Sequence, residues 1–326
     1  PAPPSPCLPC LDVVRIMYSH MPMETTVTPL ECRSALNRVR GMGFGWSLNP
    51  YRGCAHACVY CFARTTHTYF DLGAGEDFSR RLFAKTNVAA VLEAELSSPR
   101  WRRDPVAVGT ATDPYQPLEG RFRLTRACLE VLARHRTPAQ LITKGPMVRR
   151  DTDMLQELSR RAGCTVCFSI PTVDEAVWRR TEPGTAAPRH RLLAVRHLAR
   201  EGIRVGVLLA PLLPGISADR RGIAAAVAAA ADHGACFVDT NLLYLKPDVK
   251  AYYFEFLQAH YPELIPRYRT LYPATSAPEA WRAHAQAVVR EAAEAYGVCD
   301  RRVVRLQPPP RPVALALPGL EGVGGR

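Results

Sequence analysis

Asn49-Pro50-Tyr51-Arg52-Gly53-Cys54-Ala55-His56-Ala57-Cys58-Val59-Tyr60-Cys61 is the stretch around which the rest of the chain is organised. Its cysteines fall at 54, 58 and 61, a C-x3-C-x2-C spacing with an aromatic residue just before the last. This spacing lets one loop bring three thiolates together. Thiolates are soft ligands that hold iron–sulfur clusters and, alternatively, zinc. No fourth cysteine follows at short spacing, so one corner of the expected metal site is open to a substrate or cosubstrate. His56, inside the loop, is the residue that would complete a zinc site instead.

Upstream of the loop, a glycine-rich approach from Gly41 to Gly45 leads into Trp46-Ser47-Leu48, which reads as a short strand. Residues 62 to 86 are polar and irregular. Asn87 to Leu96 then reads as a helix with Val88, Val91, Leu92 and Leu96 on one face. Five further units follow, each a short apolar run and then a helical pattern. The runs are Val106 to Gly109, Leu141 to Thr143, Thr165 to Ile170, Ile203 to Leu209 and Cys236 to Asp239. The helices are Leu124 to Arg134, Asp151 to Ala162, Arg189 to Glu201, Ala218 to Asp232 and a pair after Pro247. Gly163, Gly202 and Gly234 each fall between a helix and the next strand, where a left-handed cap belongs. Six βα units of this kind require a parallel sheet with right-handed crossovers. The expected fold is α/β, with six parallel strands in a barrel or an open sheet and the cysteine loop at their C-terminal ends, where ligands gather.

The other strand ends carry polar chemistry on that same face. Strand two is followed by Gly109-Thr110-Ala111-Thr112-Asp113-Pro114-Tyr115-Gln116-Pro117 and strand three by Thr143-Lys144-Gly145-Pro146. Strand four runs through Ser169-Ile170-Pro171-Thr172 towards Arg179-Arg180-Thr181-Glu182-Pro183. Strand five ends in Ala210-Pro211-Leu212-Leu213-Pro214-Gly215, and strand six in Asp239-Thr240-Asn241-Leu242-Leu243-Tyr244-Leu245-Lys246. One such end is ordinary loop polarity. Five beside a cysteine loop describe a pocket.

The rest of the chain frames this core. Residues 1–40 are expected to be a Pro-rich, largely disordered extension, 41–246 the βα core, 247–306 a helical extension packed on it and 307–326 a flexible tail. Cys7 and Cys10 form a C-x2-C in the leading arm and are expected to be incidental. Tyr252, Tyr253, Phe254, Phe256 and Trp281 read as packing residues of the late helices. Eleven cysteines in 326 residues, without the pattern of a short secreted domain, suggest a reducing cytoplasm. Cys32, Cys128, Cys236 and Cys299 read as small apolar residues. Cys164 and Cys167 lie on one extended run that turns them to opposite faces. The longest apolar runs, near Val205 to Leu213 and Ile223 to Ala231, are too short to cross a bilayer. Lys plus Arg is 42 against 30 for Asp plus Glu, a formal net charge of +12, which favours polyanionic partners such as nucleic acid.

C-x3-C-x2-C with an aromatic before the third cysteine, after the first strand of a six-fold βα chain, resembles the radical S-adenosylmethionine superfamily. The resemblance implies a partial (β/α)6 TIM-type barrel with a [4Fe-4S] cluster on Cys54, Cys58 and Cys61. It leaves the fourth iron to S-adenosylmethionine, which is split to a 5′-deoxyadenosyl radical that takes hydrogen from a substrate. It further implies an external electron donor, flavodoxin- or ferredoxin-like. Tyr60 becomes the aromatic near the adenine. The runs Thr112 to Pro117, Ile142-Thr143-Lys144, Arg180 to Pro183 and Ala210-Pro211 through Ile216 are similar to the branch related to spore photoproduct lyase. In that branch the equivalents of Thr112, Asp113, Lys144 and Ser169 surround S-adenosylmethionine; Arg180 and Glu182 are secondary candidates, readable also as a structural salt bridge. The branch's cysteine hydrogen donor is missing here, because Ala111 stands in that region. Nucleic acid is thus one expected substrate class, a protein or small molecule a second, and a non-catalytic zinc or cluster module the alternative to an enzyme.

Overall fold

Short runs of β-branched and aliphatic residues set the frame of the computed structural model, which describes residues 14–16 and 25–301. Its strands, in chain order, are β1 (Val14–Ile16), β2 (Thr25–Leu30), β3 (Leu36–Arg38), β4 (Trp46–Leu48), β5 (Tyr51–Arg52) and β6 (Arg81–Lys85). They continue with β7 (Val106–Val108), β8 (Ala139–Thr143), β9 (Cys164–Ser169), β10 (Arg204–Leu212) and β11 (Phe237–Leu242). The main sheet has seven strands in the order β11-β10-β9-β8-β7-β4-β3. From β4 to β11 every pairing is parallel, and β3 closes one edge antiparallel to β4. These are the six strands expected of a partial (β/α)6 barrel.

The central parallel strands are apolar on both faces, as strands covered on both sides must be. Consecutive residues are buried in β7 (Val106, Ala107 and Val108) and in β9 (Val166, Cys167 and Phe168). The crossover helices are Val88–Ser97, Leu124–Arg134, Thr152–Arg161, Pro188–Arg200 and Arg220–Asp232. Asp219 starts the last of them by accepting a hydrogen bond from the Gly222 N–H, as an N-cap does. Gly163, Gly202 and Gly234 take positive φ, as expected. After β11, helices Pro247–His260, Ile265–Leu271 and Glu279–Ala295 follow. The last packs over β11 and helix Arg220–Asp232. Tyr253 and Phe256 are buried, and Tyr252, Phe254 and Trp281 pack partly buried against the same cluster.

Two segments differ from the sequence expectation. Residues 25–38, placed in a disordered extension, contain β2 and β3. Val27 of β2 is fully buried, and β2 runs parallel to β6 in a small sheet of order β1-β2-β6-β5. The partner strand lies far along the chain, so no local pattern announces the pairing. The second is 62–86, read as irregular, which forms the 3-10 helix Phe62–Phe70, a short helix Asp77–Arg80 and β6. Cys7, Cys10 and the tail from Gln307 lie outside the described residues. No described helix is long and apolar enough to cross a membrane.

Candidate functional site

The small sheet delivers the cysteine loop. β5 immediately precedes it and pairs antiparallel with β6, while β4 before it pairs with β7. The turn at Gly53 needs a glycine: φ is +74°, and a Cβ there would lie 2.8 Å from both Leu82 and the Phe78 carbonyl. From Cys54 onward three distant segments, around Phe78, Gln116 and residues 181–184, tether the backbone. The Cys54 N–H donates to the Phe78 carbonyl at 3.0 Å and the Val59 N–H to the Thr181 carbonyl at 3.1 Å. The Ala55 N–H donates to Gln116 Oε1 at 2.9 Å, and the Gly184 N–H donates to the His56 carbonyl at 3.1 Å. A Cβ on Gly184 would stand 2.2 Å from the Ala55 carbonyl oxygen. The loop is therefore fixed from outside by its neighbours as well as by its own turns, Ala57 N–H to the Cys54 carbonyl and Cys61 N–H to the Cys58 carbonyl, both at 3.3 Å.

Cys54, Cys58 and Cys61 are free thiols. Cys54 and Cys61 share a small apolar nest with Ala63, Phe78 and Ala111, and Cys58 and Cys61 border the aromatic cluster of the C-terminal helices. Burial, with the nearby Asp113 carboxylate, pushes the Cys54 thiol well up. Burial beside Glu182 pushes Cys58 up to about 12. Burial also raises Cys61, opposed by the positive charges of Arg64 and Lys144. Burial raises Cys128 and Cys164 in the same way, so what sets the three loop thiols apart is their spacing on one tethered loop and not their titration. Among the described residues no three His, Cys, Asp or Glu side chains stand close enough to share a single ion. The three thiolates of a cubane each bind a different iron and need no such common point.

His56, weighed above as a zinc ligand, turns Nδ1 towards Asp113 at 3.3 Å. Asp113 also accepts hydrogen bonds from the Thr143 hydroxyl at 2.7 Å, the Lys144 N–H at 2.6 Å and the Tyr115 N–H at 2.8 Å. Burial raises its pKa, but His56 and these donors outweigh burial and leave it below the ordinary carboxylate value. Thr112 donates to the Gly53 carbonyl at 2.6 Å and accepts from Gln116 Nε2 at 2.9 Å. Both side chains at the end of β7 are thus engaged in bracing the loop.

The ends of β8 and β9 meet differently. Thr143 and Phe168 are paired across the two strands, so Lys144 and Ser169 stand side by side one residue further. Lys144 Nζ donates to the Ser169 hydroxyl and lies 3.1 Å from Glu182 and 5.7 Å from the centre of the Tyr60 ring. The Ser169 hydroxyl in turn donates a hydrogen bond to the Ala210 carbonyl at 2.9 Å. The Tyr60 hydroxyl donates to Glu182. Burial opposes ionisation of Glu182, yet the charges of Arg191 and Lys144 hold it down at about 2. Arg191, itself fully buried, pairs with Glu182 at 2.5 Å and donates to the Ser169 carbonyl at 2.9 Å.

Of the eight residues read from sequence, the three cysteines share the loop, and Tyr60, Lys144 and Ser169 belong to one polar cluster centred on Lys144 and Glu182. Thr112 and Asp113 lie behind the loop. The supposed Arg180–Glu182 pair does not exist: Arg180 is directed at the Tyr261 hydroxyl at 3.3 Å, and Glu182 takes Arg191 instead. Gln116 stood in the quoted run Thr112 to Pro117 without a role, whereas Arg191 and Arg64, missed in the sequence, reach the site from a distant helix or through backbone carbonyls, and no spacing rule marks them.

Parallel βα architecture with a cysteine loop above it defines a class of radical-generating enzymes, and the family model described as the Radical SAM superfamily matches residues 48–226. The chain belongs to this superfamily, whose enzymes work with a [4Fe-4S] cluster and S-adenosylmethionine. Among relatives, an uncharacterized protein of Mycobacterium tuberculosis is 39% identical over 244 residues, covering 74% of this chain and 72% of its own. One from Methanocaldococcus jannaschii is 23% identical over 239 residues, covering 73% and 80%. Among solved structures, a spore photoproduct lyase variant has a TM-score of 0.64 at 14% identity, covering 84% of this chain and 80% of that one. Another, with bound AdoMet and dinucleoside spore photoproduct, has a TM-score of 0.61 at 14% identity, covering 83% and 79%. At that identity the likeness is one of fold.

Proposed function

We propose that Cys54, Cys58 and Cys61 hold the [4Fe-4S] cluster, that S-adenosylmethionine lies against Tyr60, Lys144 and Ser169, and that the substrate is a nucleic acid. The observation that carries it is the Lys144 ammonium at the end of β8, which donates to Ser169, lies 3.1 Å from Glu182 and stands 5.7 Å from the ring of Tyr60, the residue just before the third cysteine. When bound, the cluster supplies the electron, taken from a flavodoxin- or ferredoxin-like donor, that splits S-adenosylmethionine into methionine and the hydrogen-abstracting 5′-deoxyadenosyl fragment. Lys144 binds the methionyl carboxylate through a charge-assisted hydrogen bond. Glu182, which also accepts from Tyr60 and Arg191, keeps Lys144 in place. Thr112 and Asp113 act from behind by fixing the Gly53 carbonyl and the β8 turn.

Nucleic acid is favoured over a protein or small molecule by the net charge of +12 and by the dinucleoside bound to the structural neighbour of the same fold. A cleft of about 420 Å³ beside Val59 has Arg179, Arg180 and Glu255 on its wall, and Arg179 is paired with Glu175 at 2.6 Å, so Arg180 is the arginine there without a carboxylate partner among the described residues. Among residues 109–117 there is no thiol, so a hydrogen donor on that loop is not part of the proposal.

The test is equilibrium binding of S-adenosylmethionine to the reconstituted protein. Lys144→Met should weaken binding by about tenfold or more, the worth of one charge-assisted bond, while Arg179→Met should not change it. Equal affinity of Lys144→Met and parent protein would refute the assigned pocket.

A further inference from the structure

Arg64 carries no part of the proposed function, although it is among the most deeply buried side chains of the described residues. Its guanidinium grips backbone. Nε donates to the Cys58 carbonyl at 3.0 Å and one terminal nitrogen to the Ala57 carbonyl at 3.1 Å. The other terminal nitrogen donates to the Ala74 and Gly75 carbonyls at 3.2 and 2.6 Å. Its carbon lies 4.2 Å from the centre of the Tyr252 ring and 5.4 Å from that of Phe78, and Phe78 also packs against Cys54. Its own N–H donates to the Cys61 carbonyl at 3.2 Å. Among the described residues no carboxylate pairs with this charge; its side-chain hydrogen bonds end on carbonyl oxygens.

A buried guanidinium without a counter-ion is costly. The missing counter-charge is at hand if the three thiolates carry a cluster, because three thiolates on a cubane leave the assembly net negative, and more so after it takes up one electron. A fixed positive charge next to it then stabilises the reduced form more than the oxidised form, and hydrogen bonds and charge near the sulfurs are what set such potentials. The two carbonyls held by Nε and its neighbour belong to Ala57, which sits at φ +53°, and to the ligand Cys58. Arg64 therefore also fixes the one left-handed non-glycine turn inside the loop.

Resting on the assignment of Cys54, Cys58 and Cys61 as cluster ligands, we propose that Arg64 is a positioning residue of the cluster: it clamps the Ala57–Cys58 turn, and its unpaired charge favours uptake of the electron. The experiment is anaerobic reconstitution of the parent, Arg64→Gln and Arg64→Lys proteins. Iron and sulfide are counted, iron release to a chelator is timed, and the cluster is titrated by potential with EPR of the reduced form.

Arg64→Gln should lower the reduced-to-oxidised ratio at a fixed potential by about tenfold, equivalent to about 59 mV for one electron, and release iron several-fold faster. Arg64→Lys keeps the charge but not the planar fork, so its potential should stay nearer the parent while iron is still released several-fold faster. An Arg64→Gln protein with the parent's potential overturns the charge role. Parental release rates in both variants overturn the clamp. Should Arg64→Gln fail to fold, Arg64→Lys decides, since parental iron retention in it removes the need for the fork. A parent protein that takes up no cluster would overturn the ligand assignment itself, and the role of Arg64 with it.

Discussion

Glu182 shows how a single residue can be visible in a sequence while its role is not. The run Arg180-Thr181-Glu182-Pro183 stood out, but the neighbouring arginine is directed away and the carboxylate is held by Arg191 and Lys144. Arg191 lies on the next helix, and only folding brings it under the pocket. The pair is buried, so removing the negative charge leaves Arg191 uncompensated. Glu182→Gln should cost about 3–5 kcal/mol of stability at neutral pH, measured by denaturant unfolding, and an unchanged midpoint would contradict the pairing. The pH dependence follows from the same contact. Glu182 is held at about 2 against an ordinary 4.5, so its contribution is complete above 4.5 and lost as pH falls towards 2. Acid unfolding of the parent should therefore steepen in that window, and Glu182→Gln should show a shallower fall there.

At the scale of elements, the six parallel strands were legible because a strand buried on both faces is a run of apolar residues with a glycine or proline at its ends. Strand β4 matches its sequence reading, Trp46-Ser47-Leu48, residue for residue. Strand β2 was not legible: Thr25-Thr26-Val27-Thr28-Pro29-Leu30 contains a proline, which argues against an inner strand, and its partner β6 is reached only across the cysteine loop. If β2 is an integral part of the fold, Val27→Asp should lower the melting temperature by several degrees, since it buries an unpaired charge. A loose arm would tolerate the change without effect. The cysteine loop was legible from its spacing, but the strap at residues 181–184 that holds it was not. Gly184→Ala drives a methyl group against the Ala55 carbonyl. It should cost about 1–3 kcal/mol and reduce iron bound per chain after reconstitution, and full loading with parental stability would show that the strap is not a clamp.

Taken as a whole, the molecule pairs a net charge of +12 with an open parallel sheet whose chemistry lies at one end. Charge of that size should give DNA affinity that falls steeply with ionic strength, by about tenfold or more between roughly 50 and 200 mM salt. Fluorescence anisotropy with short single- and double-stranded DNA measures it directly, and an affinity indifferent to salt, or absent at low salt, would favour a protein or small-molecule substrate. Radical generation does not depend on that outcome, because it rests on membership of the radical SAM superfamily and on the proposed roles of the cysteine loop and the Lys144–Ser169 pair. Its most direct test is formation of 5′-deoxyadenosine by the anaerobically reconstituted protein given S-adenosylmethionine and dithionite. The parent should produce it and Cys58→Ala should not. A parent protein fully loaded with iron and sulfide that yields no 5′-deoxyadenosine would contradict the account.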